Sequence, residues 1–199
     1  MTLIAKNKLG YKNLIKLISK SQIVGKKSGI PVIETEWLAE HSDGLIALSG
    51  GFRGHIGKAV LDSNHDLFLK RIKYFQKIFK EDFILEISRI NRPQEDLYND
   101  YILSKAGELG LPVVASNEVR FIDKEDYEAH ETRVCIQKGE VLSDARRTRS
   151  YFEDQYFLSP EEMYEKFKDI PEVLSNAYEL GKKCNLEIET GIYVLPDFK

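Results

Sequence analysis

Leu45-Ile46-Ala47-Leu48-Ser49-Gly50-Gly51-Phe52-Arg53-Gly54-His55 opens with four apolar residues in a row and passes at once into a hydroxyl and two glycines. A strand with one wet face alternates apolar and polar side chains. An unbroken apolar run belongs to a strand buried on both faces, the habit of parallel sheets. The glycines permit a tight turn into a helix. Two more runs of this kind lie downstream, Phe83 to Ile87 and Pro112 to Ala115, each bounded by Gly, Asp or Pro.

Helical periodicity fills the gaps. The segment from Asn64 to Lys80 sets Phe68, Ile72, Phe75 and Phe79 on one face, and the segment after Pro93 does the same with Tyr98, Ile102, Ala106 and Leu109. Strand, helix, strand, helix, strand is the βα order, and connections of this length make right-handed parallel crossovers. The expected class is α/β: part of a parallel sheet or barrel, with outer helices. Upstream, Leu14, Ile15 and Ile18 predict an amphipathic helix packed through those residues, followed by a loop at Ser28, Gly29 and Pro31. Downstream, Ser159-Pro160-Glu161-Glu162 has the hydroxyl cap, first-turn proline and returning glutamate of a helix start. A last helix begins near Pro171 with Val173, Leu174, Ala177 and Tyr178 on its buried side, and 194–198 reads as extended. The expected division is an α/β part over 1–155 and a helical extension over 156–199.

With 199 residues, 42% of them hydrophobic, the chain can bury a sizeable core. No apolar run nears the roughly 18 residues of a membrane span, and the start lacks the apolar core of a secretory signal, so the cytoplasm is the expected compartment. The two cysteines, Cys135 and Cys184, form no metal or redox motif and read as free thiols. A net charge of -3 argues against gripping nucleic acid through overall charge. Arg146, Arg147 and Arg149 beside Tyr151 and Phe152 form the one dense basic cluster. They read either as a solvated loop pairing with Asp144, Glu153 and Asp154 or as a DNA contact.

Ligands of parallel α/β folds gather at the carboxyl ends of strands. Three loops lie there: Ser49 to His55, containing Arg53; Ser88-Arg89-Ile90-Asn91-Arg92, with Glu86 in the strand before it; and Asn117-Glu118-Val119-Arg120, followed by Asp123. The glycine-rich turn has neither P-loop nor dinucleotide spacing and reads first as a tight turn. An arginine in every loop suits an anion, or a structural network neutralised by Glu86, Glu118 and Asp123. Of the four histidines only His55 and His130 suit these loops, and no HExxH or HxH pair exists; His130 reads as a satisfied buried histidine. Ser49 lacks a nucleophile elbow, and the Cys135 thiol sits in an apolar helical context that keeps it protonated.

TLIAKNKLGYKNLIKLIS (2–19), WLAEHSDGLIALSGGFRGHIG (37–57), LPVVASNEVRFIDKEDYEAHETRVCI (111–136) and IPEVLSNAYELGKKCNLEI (170–188) together resemble the alpha-subunit family of bacterial DNA polymerase III, in order and with similar spacing from Thr2 to Phe198. The resemblance implies the second half of a polymerase and histidinol phosphatase (PHP) domain, a distorted (β/α)7 barrel ahead of the polymerase core. It also implies that the family's first histidine motifs and strands would precede Met1. Its catalytic aspartates and their magnesium would follow Lys199, so this chain would not polymerise DNA alone. Members with an intact PHP site hold a metal cluster. Their cysteine falls on Gly51 here, their aspartate on Glu118 and their histidine on Arg120, so the resemblance implies no metal in this segment. It favours a scaffold that docks the proofreading exonuclease subunit and braces the polymerase core on DNA. A metal-dependent phosphoesterase or 3'-5' exonuclease completed by the missing half is the alternative. A half barrel would also leave a strand edge unpaired, inviting self-association or a rearranged terminus.

Overall fold

A computed structural model describes residues 1–191; the stretch at 194–198 expected to be extended lies outside the described residues. The chain runs β1 (Thr2–Ala5), α1 (Lys8–Ile23), a small hairpin of β2 (Lys26–Lys27) and β3 (Ile30–Pro31), α2 (Thr35–Glu40), β4 (Leu45–Leu48), α3 (His55–Leu61), α4 (His65–Phe79), β5 (Phe83–Ser88), α5 (Glu95–Leu109), β6 (Val113–Ser116), α6 (Tyr127–Lys138), α7 (Pro160–Phe167) and α8 (Glu172–Lys182). All three apolar runs are strands. They lie side by side in the order β4-β5-β6, parallel throughout, with Leu48 opposite Ile84 and Leu85 opposite Val113. The class is therefore α/β with a mostly parallel sheet.

Side chains alternate across such a sheet. One face carries Leu45, Ala47, Phe83, Leu85, Ile87, Val113 and Ala115, and packs with Phe68, Ile72, Phe75 and Phe79 of α4 and Tyr98, Ile102 and Ala106 of α5. The other carries Ile46, Leu48, Ile84 and Val114, against which Ile4 of β1, Ala177 and Leu180 of α8, and Cys184 just past that helix are packed. Both faces are apolar because both are covered. Toward the carboxyl ends the second face turns polar, at Glu86, Ser88 and Ser116. Among the described residues no helix is long and apolar enough to cross a membrane.

The strand edge expected to invite self-association or a rearranged terminus is covered at β4 by the N-terminal strand: β1 pairs with it antiparallel, Thr2 opposite Leu48 through Ala5 opposite Leu45. Two expectations need correction. In α1 the buried residues are Gly10, Asn13, Leu17 and Ser21, while Ile15 and Ile18 are exposed. The reason is backbone proximity. An added Cβ on Gly10 would lie 1.9 Å from the Gly44 carbonyl oxygen, so this glycine sets the side by which the helix approaches the sheet. In α8 Tyr178 is exposed and Leu180 packs inward instead. The start of α7 follows its sequence: Ser159 Oγ accepts from the Glu162 N–H, and the Glu162 carboxylate accepts from the Ser159 N–H.

Alanine outranks glycine in a helix interior by about 1 kcal/mol, and Gly107 of α5 and Gly10 of α1 lie in opposite surroundings. Gly107→Ala, with nothing within 4 Å of the added Cβ, should raise the urea midpoint by the equivalent of about 0.5–1 kcal/mol. Gly10→Ala should lower it; an unchanged midpoint for Gly10→Ala would contradict the close approach to Gly44.

Candidate functional site

The three strand-end loops converge. After β4 the chain turns through Gly50 and Gly51, both left-handed at φ 84° and 56°. Ser49 Oγ accepts from the Glu86 N–H at 3.0 Å, tying this turn to β5. A Cβ built on Gly51 would stand 4.0 Å from Glu118 Oε1 and 4.0 Å from the Glu86 carboxyl carbon. Glu118 itself sits at φ 47°, a conformation that costs a non-glycine residue about 1–3 kcal/mol and that surrounding structure must hold. Part of that hold is visible: Gln155 Nε2 donates to the Glu118 carbonyl at 2.9 Å.

The cation in this cleft is Arg92. Its side chain is 2% exposed and lies between the rings of Phe52 and Phe152, 4.8 and 5.8 Å from their centroids. Nη2 is 2.8 Å from Glu118 Oε2, and Nε is 3.8 Å from Glu95 Oε1. None of these N–H groups is aligned for a hydrogen bond among the described residues, so Coulomb attraction and stacking on the aromatic faces hold the guanidinium. Glu95 is positioned by donors of its own: the Ile90 and Asn91 N–H groups reach Oε2 at 2.7 and 3.0 Å, and Ser88 Oγ reaches Oε1 at 3.1 Å. Burial pushes its pKa up, and these hydrogen bonds together with Arg92 pull against that shift. Glu86 is buried as well. The Tyr98 hydroxyl, kept protonated chiefly by burial, donates to its carbonyl at 2.8 Å, and its carboxylate Oε2 has no donor among the described residues. Two carboxylates thus face one guanidinium, and a third, that of Glu86, is buried beside Gly51. A metal cluster does not fit this donor set: Gly51 brings no ligand atom, and the charge of Arg92 already stands against Glu118.

The remaining candidates lie elsewhere. Arg120 is exposed, its guanidinium 5.5 Å from the Tyr151 ring, and does not enter the cleft. Arg89 points the other way, bidentate to Asp169 and bonded to the Lys166 carbonyl with its guanidinium over Phe167, so it fastens the β5 loop to the α7–α8 corner. Arg53 reaches the Ser150 carbonyl. Asn117 donates to the carbonyls of Asp154 and Tyr156, at 3.1 and 2.6 Å. Asp123 is exposed at the turn before α6, its N–H donating to the Asp126 carboxylate. His55 is exposed at the first turn of α3, and burial, then Arg71, lowers its pKa. His130 is buried against Phe121 and Tyr151, yet its Nε2 has no partner among the described residues, so it is buried but not satisfied. Cys135 is buried and free.

The basic cluster is split. Arg147 is buried in an ion pair with Glu131 at 2.5 Å, while Arg146 pairs with Asp144 in solvent. Arg92 is the residue that the sequence reading did not single out. Its signal was an arginine directly before Pro93 with a glutamate three residues on, in a loop between two apolar segments.

Residues 1–90 match the PHP domain family. Over 198 residues, all of this chain, it is 46% identical to the DNA polymerase III subunit alpha of Vibrio cholerae, and 43% identical to those of Pseudomonas aeruginosa and Escherichia coli. Along its whole length the chain is similar to a segment of the bacterial DNA polymerase III alpha subunits. It spans 17% of the length of each of them. Against the alpha subunits the match continues through Glu118, Arg120 and both C-terminal helices, well beyond the PHP domain match.

Two measurements probe the cleft and its clamp. Arg92→Leu should cost about 3–5 kcal/mol of stability at neutral pH, because it strands buried carboxylates. Burial already raises the Glu95 pKa against the pull of Arg92; without the cation it should rise further, so the deficit should shrink as pH falls and Glu95 protonates, and a deficit independent of pH would count against the charge assignment. By NMR titration Asp169, held down to about 2 chiefly by its hydrogen bond to Arg89, should move back toward its ordinary value in Arg89→Ala.

Proposed function

We propose that the chain works as part of a DNA-directed DNA polymerase, a nucleotidyltransferase whose magnesium-dependent chemistry lies outside this segment, and that the segment is a non-catalytic scaffold. The observation that carries the scaffold reading is Arg92, a buried permanent cation 2.8 Å from Glu118 and beside Gly51, where a metal-dependent site requires ligand atoms. A guanidinium cannot activate water or polarise a phosphoryl oxygen as a divalent ion does. Its fixed charge instead neutralises Glu118 and joins loops from three strands.

The architecture supports a partial PHP-type (β/α)7 barrel. Its parallel strands follow chain order, β4-β5-β6, without the reversal that marks a doubly wound sheet. Beyond β6 residues 120–122 pair in parallel with 155–157, through the Arg120 N–H to the Gln155 carbonyl at 2.7 Å and the Phe157 N–H to the Ile122 carbonyl at 3.1 Å, as a following βα unit would. On this reading 1–155 is barrel and 156–199 an extension toward the polymerase core. In the cytoplasm the scaffold would dock the proofreading exonuclease subunit and brace the core on DNA.

The rival is a metal-dependent phosphoesterase or 3'-5' exonuclease completed by the preceding half. Metal content and manganese-dependent hydrolysis of p-nitrophenyl phosphate, measured on the full-length alpha subunit, separate the two. The scaffold reading expects metal well below stoichiometry and no hydrolysis above the blank. Stoichiometric zinc or manganese that disappears in Glu118→Ala would overturn it. Docking is tested separately: a subunit lacking this segment should lose affinity for the proofreading subunit, and equal affinity would exclude docking here.

A further inference from the structure

The outward face of α4 carries a feature unrelated to the cleft. Leu67, Tyr74 and Phe75 form the floor of a groove of about 540 Å³ bordered by Thr35 and His55. Lys70, Arg71, Lys73 and Lys77 line it, and no acidic side chain does. Lys70 and Lys73 are three residues apart and Lys73 and Lys77 four, spacings at which like charges destabilise a helix. None of the four cations forms an ion pair among the described residues, although Asp66 stands one turn before Lys70. Arg71 is spent on the His55 carbonyl, which leaves three lysines free to meet an anionic partner. The whole chain carries a net charge of -3, so this is a local asymmetry and not a share of general basicity.

We propose that this groove docks an acidic amphipathic helix of a partner protein, apolar side chains on Leu67 and Tyr74 and carboxylates against Lys70, Lys73 and Lys77. The floor favours a protein over a nucleic acid. Phosphate contacts need only cations, whereas an apolar concavity beside a half-exposed tyrosine suits the anchors of a helix. The inference shares no residue with the Arg92 cleft and stands whether or not that cleft is idle.

The test uses the full chain and a fluorescein-labelled synthetic helix of roughly 20 residues, with leucines at i, i+3, i+4 and i+7 flanked by glutamates. A scrambled peptide of equal composition and a thymidine oligonucleotide serve as competitors. The helical peptide should bind, shift the amide resonances of 67–77, and lose at least about tenfold in affinity in the exposed-surface variant Lys70→Glu/Lys73→Glu/Lys77→Glu. Tyr74→Ala should weaken it as well, and circular dichroism should show both variants folded. Equal binding of the scrambled peptide, stronger binding of the oligonucleotide, or shifts that map away from α4 would each overturn the proposal. So would a change of oligomeric state in the triple variant, which would assign the groove to a second copy.

Discussion

One guanidinium stands where the loops after three parallel strands converge. Leaving water costs an ionised carboxylate several kcal/mol even after relaxation, and Glu95 is buried while the Glu118 side chain is 19% exposed. Arg92 offsets that cost only because it is buried with them, out of the solvent that would screen it. The rings of Phe52 and Phe152 complete its surroundings on the faces where no carboxylate stands. These partners come from four places in the chain: the turn after β4, the start of α5, the second residue past β6, and the loop before α7. The charge balance therefore depends on the sheet having brought those ends into line.

The segment between α6 and α7 has little secondary structure, and polar ties hold it over the cleft. Asn117 donates to the Asp154 and Tyr156 carbonyls, and Asn91 donates to the Asp154 carboxylate, which also pairs with Lys166. The buried pair of Arg147 and Glu131 fixes the other end of the segment to α6. This accounts for the fate of the arginine cluster. A sequence with arginines at 146, 147 and 149 looks like a basic patch, but the middle one is consumed in structure and its neighbours no longer act with it as a unit.

What could be read beforehand, and what could not, divides along physical lines. Strands and helices follow from local patterning, so β4, β5 and β6 fall on the three apolar runs and the buried face of α4 is the predicted one. Phe68, Ile72, Phe75 and Phe79 repeat too regularly to be mistaken. In α1 the apolar pattern misleads, because the decisive contact is made by a side chain that does not exist, that of Gly10 against Gly44. The pairing of β1 with β4 is equally silent, since an antiparallel edge depends on which strand end is near. At the site, Gly51, Glu86 and Glu118 were legible as strand-end positions. The choice between Arg120, Arg89 and Arg92 was not, because residues a few positions apart in a loop leave it in different directions.

Arg92 is also not the sole obstacle to metal chemistry in this cleft. Were it removed, Gly51 would still offer no donor atom, and its left-handed backbone would strain any side chain placed there. Glu95 would remain committed to the Ile90 and Asn91 N–H groups, which it orders into the turn that starts α5. Only Glu86 and Glu118 would be left to share an ion, and two carboxylates without a third protein ligand make a weak, water-dominated site. Cation, glycine and committed glutamate are thus mutually consistent. Each suits the cleft to joining loops.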